Sequence, residues 1–170
     1  MNLVLIGYRG TGKSTVASLV ARQLNWPVVS TDAEIVRRMN RPIPEIVATV
    51  GWDVFRQVET EVCRELQNRD QLVIDTGGGI VTRQENIEAL KPRGVVFWLT
   101  ASIPTIVARI GGDTQRPSLT GSKSFTEEVA EVLAERLPQY QAAADHVVET
   151  DNTPAEQVAD RILAVFRQRC

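Results

Sequence analysis

The stretch L-V-L-I-G-Y-R-G-T-G-K-S-T, residues 3 to 15, decides the fold class. Leu3–Ile6 is an apolar run of strand length halted at Gly7, and Val16–Leu24 has helix-forming composition. Between them Gly7 to Ser14 fits G-x-x-x-x-G-K-[ST], a loop whose backbone N–H groups curl around phosphate. Glycines permit the curl, and the N-terminus of the following helix adds positive partial charge at the same point. At these offsets Lys13 reaches the β- and γ-phosphates and the Ser14 hydroxyl can ligate Mg²⁺. A plain glycine-rich turn needs neither side chain there. A nucleoside triphosphate site is therefore expected.

Working outward, strand-length apolar runs recur at Val28–Val29, Leu72–Ile74, Val95–Leu99 and His146–Val148. Helix-like segments separate them at Ala33–Met39, Val54–Arg69, Gln84–Leu90, Ile103–Ile110, Thr126–Ala143 and Ala155–Arg167. Strands alternating with helices predict βαβ units, hence an α/β three-layer sandwich with a five-stranded parallel sheet. Active sites in such sheets lie beyond the carboxyl ends of the strands, where the phosphate loop also sits. Thr153-Pro154 reads as a capping residue with proline at the first helical position.

With 170 residues, 43% hydrophobic and 24% charged, the chain fits one ordinary globular domain. A formal net charge of −2 offers no general attraction to nucleic acid or to an anionic membrane. No apolar run approaches membrane-spanning length and Met1 leads straight into the first strand, so a cytoplasmic protein is expected. Cys63 and Cys170 are expected to be free thiols, and two cysteines with one histidine cannot make a standard zinc site.

The loop from Gly111 to Ser124 is rich in Gly, Ser and Thr and carries Arg116 and Lys123. A loop of this length beside a phosphate site is expected to act as a lid. The tips of strands two and three read S-T-D (30–32) and D-T-G-G-G (75–79). A parallel sheet opens both onto the edge that holds the phosphate loop. Asp32 would then stand near the γ-phosphate, able to orient or deprotonate an acceptor hydroxyl, and Gly77, Gly78 and Gly79 would let a ligand approach the backbone. Alone, either element is equally explained by a helix cap or a glycine turn.

Taken with Phe55-Arg56, Arg116-Pro117 and Arg136-Leu137-Pro138-Gln139-Tyr140, the chain resembles the shikimate kinase family over nearly its whole length. The resemblance implies a P-loop NTPase fold of the nucleoside monophosphate kinase kind, acting as a monomer. It implies transfer of the ATP γ-phosphoryl to the 3-hydroxyl of shikimate with Mg²⁺, toward chorismate and the aromatic amino acids. By position, Gly10, Thr11, Gly12, Lys13, Ser14 and Thr15 would hold the ATP phosphates. Asp32, Arg56, Gly78 and Arg136 would contact shikimate, with an acceptor-binding helical segment at about 32–62 and a lid at about 111–124. Arg116 would be the lid arginine, and Arg109, Asn152 and Pro154 would lie on the adenine side. The lid arginine's removal (Arg116→Ala) would then lower kcat on the order of 10³-fold. A planar guanidinium grips a carboxylate through two parallel hydrogen bonds, which suits Arg56 and Arg136 to the acid end of shikimate. Both arginines also sit among glutamates, where exposed intrahelical ion pairs are common. A gluconate-type kinase and a non-catalytic nucleotide-binding homologue are the competing possibilities.

One position departs from the family pattern. Most members carry D-x-D where this chain has Ser30-Thr31-Asp32. A serine brings no charge to the water shell of a metal. Asp75, at the tip of strand three, is the expected substitute, alongside Ser14, in holding Mg²⁺. Otherwise Asp75 would merely accept hydrogen bonds from the triple-glycine turn.

Overall fold

In a computed structural model, residues 1–111 and 124–170 are described. Arg116 and nearly all of the expected lid lie outside them. The elements are β1 (Asn2–Ile6), α1 (Lys13–Leu24), β2 (Val28–Ser30), α2 (Thr31–Met39), α3 (Ile43–Leu66) and β3 (Val73–Asp75). They continue as α4 (Gln84–Leu90), β4 (Gly94–Thr100), α5 (Ile103–Ile110), α6 (Phe125–Ala143), β5 (His146–Glu149) and α7 (Ala155–Arg167). The five strands form one sheet in the order β2-β3-β1-β4-β5, and every pairing is parallel. The three-layer expectation holds.

Strand periodicity explains the layering. Along β1 and β4, Val4, Ile6, Val96 and Trp98 pack in the core cluster that includes α2, α3, α4 and α6. Leu3, Leu5, Val95, Phe97 and Leu99 face the opposite cluster, with α1 and α7. Each such side chain taken from water stabilises the fold by about 1.5–3 kcal/mol. A smaller cluster joins Tyr8 of the phosphate loop to Ile106 and Ile110 of α5 and Val129 and Val132 of α6. That third contact fixes where α6 presents its polar side chains.

Several boundaries differ from those read along the chain. Helix α3 begins at Ile43, eleven residues before the predicted Val54, and is broken at Gly51 (φ 82°, ψ 171°). Pro42 precedes the first turn, and Ile43 and Ile46 bury its apolar side. Thr31 and Asp32 belong to the first turn of α2 rather than to the tip of β2, which ends at Ser30. At α7 the N-cap is Pro154 itself, with no side-chain cap; the Thr153 hydroxyl donates instead to the Asp151 carbonyl. Ser124, assigned to the lid, caps α6 through a reciprocal capping box with Glu127.

Both thiols are free, Cys63 buried and Cys170 exposed. Burial, and then the charge of Glu59, push the Cys63 thiol far above its ordinary value, so it is inert packing. Among the described residues no helix is long and apolar enough to cross a membrane. His146 stacks on Phe97 with ring centroids 5.2 Å apart.

Candidate active site

The phosphate loop is held open by its own lysine. Gly12 caps α1 in the left-handed region (φ 93°), a conformation that costs glycine little, and Lys13 is the first residue of the helix. The buried Lys13 Nζ donates to the Gly7 carbonyl at 2.6 Å and to the Tyr8 carbonyl at 3.1 Å. The Thr11 hydroxyl donates to the same Tyr8 carbonyl at 2.8 Å. On the β3 side, the Ser14 hydroxyl donates to Asp75 Oδ2 at 2.7 Å. Gly10, Gly12, Lys13, Ser14 and Thr15 line an open pocket of about 360 Å³ together with Ser30, Asp32 and Asp75.

A second, narrower pocket shares Arg9 and Asp32 with it and is lined by Tyr8, Arg9, Asp32, Trp52, Phe55, Arg56, the glycines 77–79 and Arg136. Here the expected acceptor residues meet, although they come from α2, α3, the turn after β3, and α6. Arg56 is carried by α3, and its guanidinium lies 5.2 Å from the Trp52 ring centre and 5.3 Å from that of Phe55. It also lies directly on Gly79, where a Cβ would collide with the guanidinium. Arg136 reaches in from α6, its guanidinium 5.9 Å from the Tyr8 ring centre. One turn on, Tyr140 anchors α6: its hydroxyl donates to the Gly78 carbonyl at 2.6 Å and its ring stacks on Trp98. Burial pushes the Tyr140 phenol up to about 12, so it stays protonated and keeps donating.

The intrahelical ion pair expected for Arg56 exists, but it is buried rather than exposed. Glu59 is 0% exposed and accepts from Arg56 Nη1 at 3.0 Å; its other oxygen has no hydrogen-bond partner among the described residues. Burial raises the Glu59 carboxyl above its ordinary value, against the opposing pull of Arg56, while Asp32 adds to the rise. The sign follows. A carboxyl raised by folding contributes stability that is complete below about pH 4.5 and is lost as pH climbs through its folded value. Arg56→Ala would strand this carboxylate and is expected to cost about 3 kcal/mol at neutral pH. Glu59→Gln added to that variant should recover much of the loss, read as a shift of the urea midpoint at constant slope. Equal midpoints for the single and double variants would show that the pair does not carry charge into the core.

Sequence reasoning missed Glu59 and Arg9. The only signal for Glu59 was its spacing of three from Arg56, which on a helix means one face. Arg9 lines both pockets, and its guanidinium lies 4.0 Å from the buried carboxylate of Glu128 on α6. Trp52 packs edge-on against Phe55 while lining the acceptor side.

The adenine-side expectations fare differently. Arg109 donates to the Gly10 carbonyl at 3.1 Å and to Thr150 at 3.3 Å, tying α5 to the phosphate loop and the end of β5. Asn152 takes a left-handed turn (φ 50°) and Pro154 caps α7. Neither lines the pocket that holds the phosphate loop.

This geometry agrees with what the chain resembles. The family model for shikimate kinase matches residues 9–167. The chain belongs to the shikimate kinase family. A shikimate kinase of Nitratidesulfovibrio vulgaris strain Hildenborough is 42% identical over 95% of this chain and 93% of its own length. Shikimate kinase 2 of Enterobacter sp. strain 638 is 40% identical over 99% and 97% respectively. The shikimate kinase of Acinetobacter baumannii, solved in complex with shikimate, superposes with a TM-score of 0.93 at 34% identity, covering 99% of this chain and 93% of that one. Shikimate kinase is an ATP-dependent kinase acting on a hydroxyl, and membership favours this activity over the gluconate-type and non-catalytic alternatives.

Proposed function

We propose that this chain transfers the γ-phosphoryl of ATP to the 3-hydroxyl of shikimate, as a single domain acting as a monomer in the cytoplasm. The observation that carries this reading is that Asp32 lines both pockets, the one around the phosphate loop and the one around Arg56 and Arg136. A carboxylate at that junction can hold an acceptor hydroxyl in line with a γ-phosphorus and take its proton. The acceptor pocket brings Arg9, Arg56 and Arg136 together, a cationic surface suited to the substrate carboxylate. We assign Arg56 and Arg136 to that carboxylate, Asp32 to the hydroxyls, and the backbone of Gly77, Gly78 and Gly79 to the ring's close approach.

On the nucleotide side we assign Gly10 to Thr15 to the phosphates, with Lys13 exchanging its two loop carbonyls for phosphate oxygens. Ser14 would offer its hydroxyl to Mg²⁺, whose charge would offset the charge developing in transfer. Little covalent chemistry is left for the protein, so positioning and electrostatics supply the rate.

A coupled ADP-release assay with shikimate, with gluconate and with no acceptor tests the reading. ADP release that requires shikimate is expected. Turnover of gluconate instead, or none with any acceptor, would overturn it.

Gly79→Ala probes the acceptor pocket apart from the nucleotide side. Gly79 sits at φ −90°, an ordinary backbone angle, so the substitution adds only a methyl group against the flexible end of Arg56. The guanidinium is displaced and the chain still folds. The expected result is a KM for shikimate raised on the order of 10²-fold, the loss of a charge-assisted bidentate pair at about 1.5–3 kcal/mol. KM for ATP should stay near wild type, while the melting temperature falls to the extent that the displaced guanidinium gives up Glu59. An unchanged KM for shikimate would place the substrate carboxylate away from Arg56.

A further inference from the structure

Two carboxylates line the nucleotide pocket among the described residues, and their surroundings differ. Asp32 reaches into the acceptor pocket as well, whereas Asp75 lines the nucleotide side alone. Asp75 is 7% exposed and accepts a hydrogen bond from the Ser14 hydroxyl at 2.7 Å. The direction of that bond matters. A serine hydroxyl has one proton and two lone pairs, so donation to Asp75 leaves the lone pairs of Oγ for a cation. In the turn that follows, the Thr76 N–H donates to the Leu5 carbonyl and the Gly77 N–H to the Thr31 hydroxyl.

The register of the sheet sets Ser30 and Asp75 side by side as partners at the tips of β2 and β3, about 4.8 Å apart as neighbouring strands are. Only one of these adjacent positions carries a charge. Ser30 is committed elsewhere, its Oγ accepting the Ala33 N–H at 3.2 Å to cap α2.

We propose that the carboxylate of the Mg²⁺ site in this chain is Asp75 on β3, one strand across from the tip of β2. Asp75 orients the Ser14 hydroxyl as a neutral oxygen ligand and accepts hydrogen bonds from water on the metal. The donor set suits the ion: hydroxyl and carboxylate oxygens are hard ligands, and Mg²⁺ is held by one or two carboxylates with phosphates and waters rather than by an all-protein cage. The proposal rests on the reading of the site as one for a metal-bound nucleotide, and not on the identity of the acceptor.

The test is calorimetric titration of ADP into wild type and Asp75→Asn, with and without Mg²⁺. Mg²⁺ is expected to tighten ADP binding to wild type, and Asp75→Asn should lose about tenfold or more of that tightening, as for an outer-shell partner of a metal. Without Mg²⁺, ADP should bind the variant as well as wild type or better, because a negative charge near the phosphates has gone. Equal Mg²⁺ dependence in the two proteins would overturn the proposal. Asp75→Ser, which keeps a hydroxyl to accept from Ser14, answers the same question if the asparagine variant fails to fold. Shikimate binding, followed by Trp52 fluorescence, should be unchanged in either variant. Failure of wild type itself to bind shikimate would count against the acceptor assignment while leaving the metal result standing.

Discussion

Lys13→Ala is expected to lower kcat by about 10³-fold or more, the cost of removing a preorganised charge from a phosphoryl-transfer site. The ammonium is buried and anchored by the carbonyls of Gly7 and Tyr8 before any nucleotide arrives, so it is already close to where phosphate oxygens must sit. Alanine therefore removes two things: the cation offsetting developing charge, and the tie that keeps the loop open. The second should show as a loss of about 1–2 kcal/mol of stability and weaker ATP binding; the first should show in single-turnover chemistry with both substrates saturating. Near-normal single-turnover rates would reduce Lys13 to a structural brace.

Asp32→Asn is the second large effect, expected to lower kcat by about 10²–10⁴-fold. Asparagine keeps the size and the hydrogen-bonding reach but cannot take a proton. Space around the side chain is tight: a Cβ on Gly77 would stand 2.6 Å from Asp32 Oδ1. The amide is therefore held where the carboxylate was, and shikimate binding should survive better than turnover. A split of this kind, kcat falling while KM for shikimate changes little, distinguishes proton acceptance from simple anchoring. Near-normal turnover would remove Asp32 from the chemistry.

The nucleotide half of the site was legible from residues 3 to 15 because its chemistry is local. Strand, curl, lysine and helix start follow one another in sequence, so their spacing is their geometry. The acceptor half was legible only through resemblance, since Asp32, Arg56, the triple glycine and Arg136 lie on separate elements. The helical turn from Ile43 to Val50 escaped notice because Gly51 (φ 82°) interrupts the pattern there. Glu59 was one glutamate among several on its helix, and nothing in its spacing told a buried carboxylate from a solvated one. That distinction is made by packing from outside the helix: a Cβ on Gly77, in the turn after β3, would stand 3.2 Å from Glu59 Oε2.

The amino-acid sequence by itself determined the alternation of strands and helices, the phosphate loop and the family, all properties of neighbours along the chain. Tertiary structure alone decided that the Arg56–Glu59 pair is buried, that Arg9 lines both pockets, and that Asp75 rather than Ser30 meets the Ser14 hydroxyl. The physical reason is common to all three. Burial and strand register determine which charges lose water and which partners they find, and both depend on segments far apart in the chain.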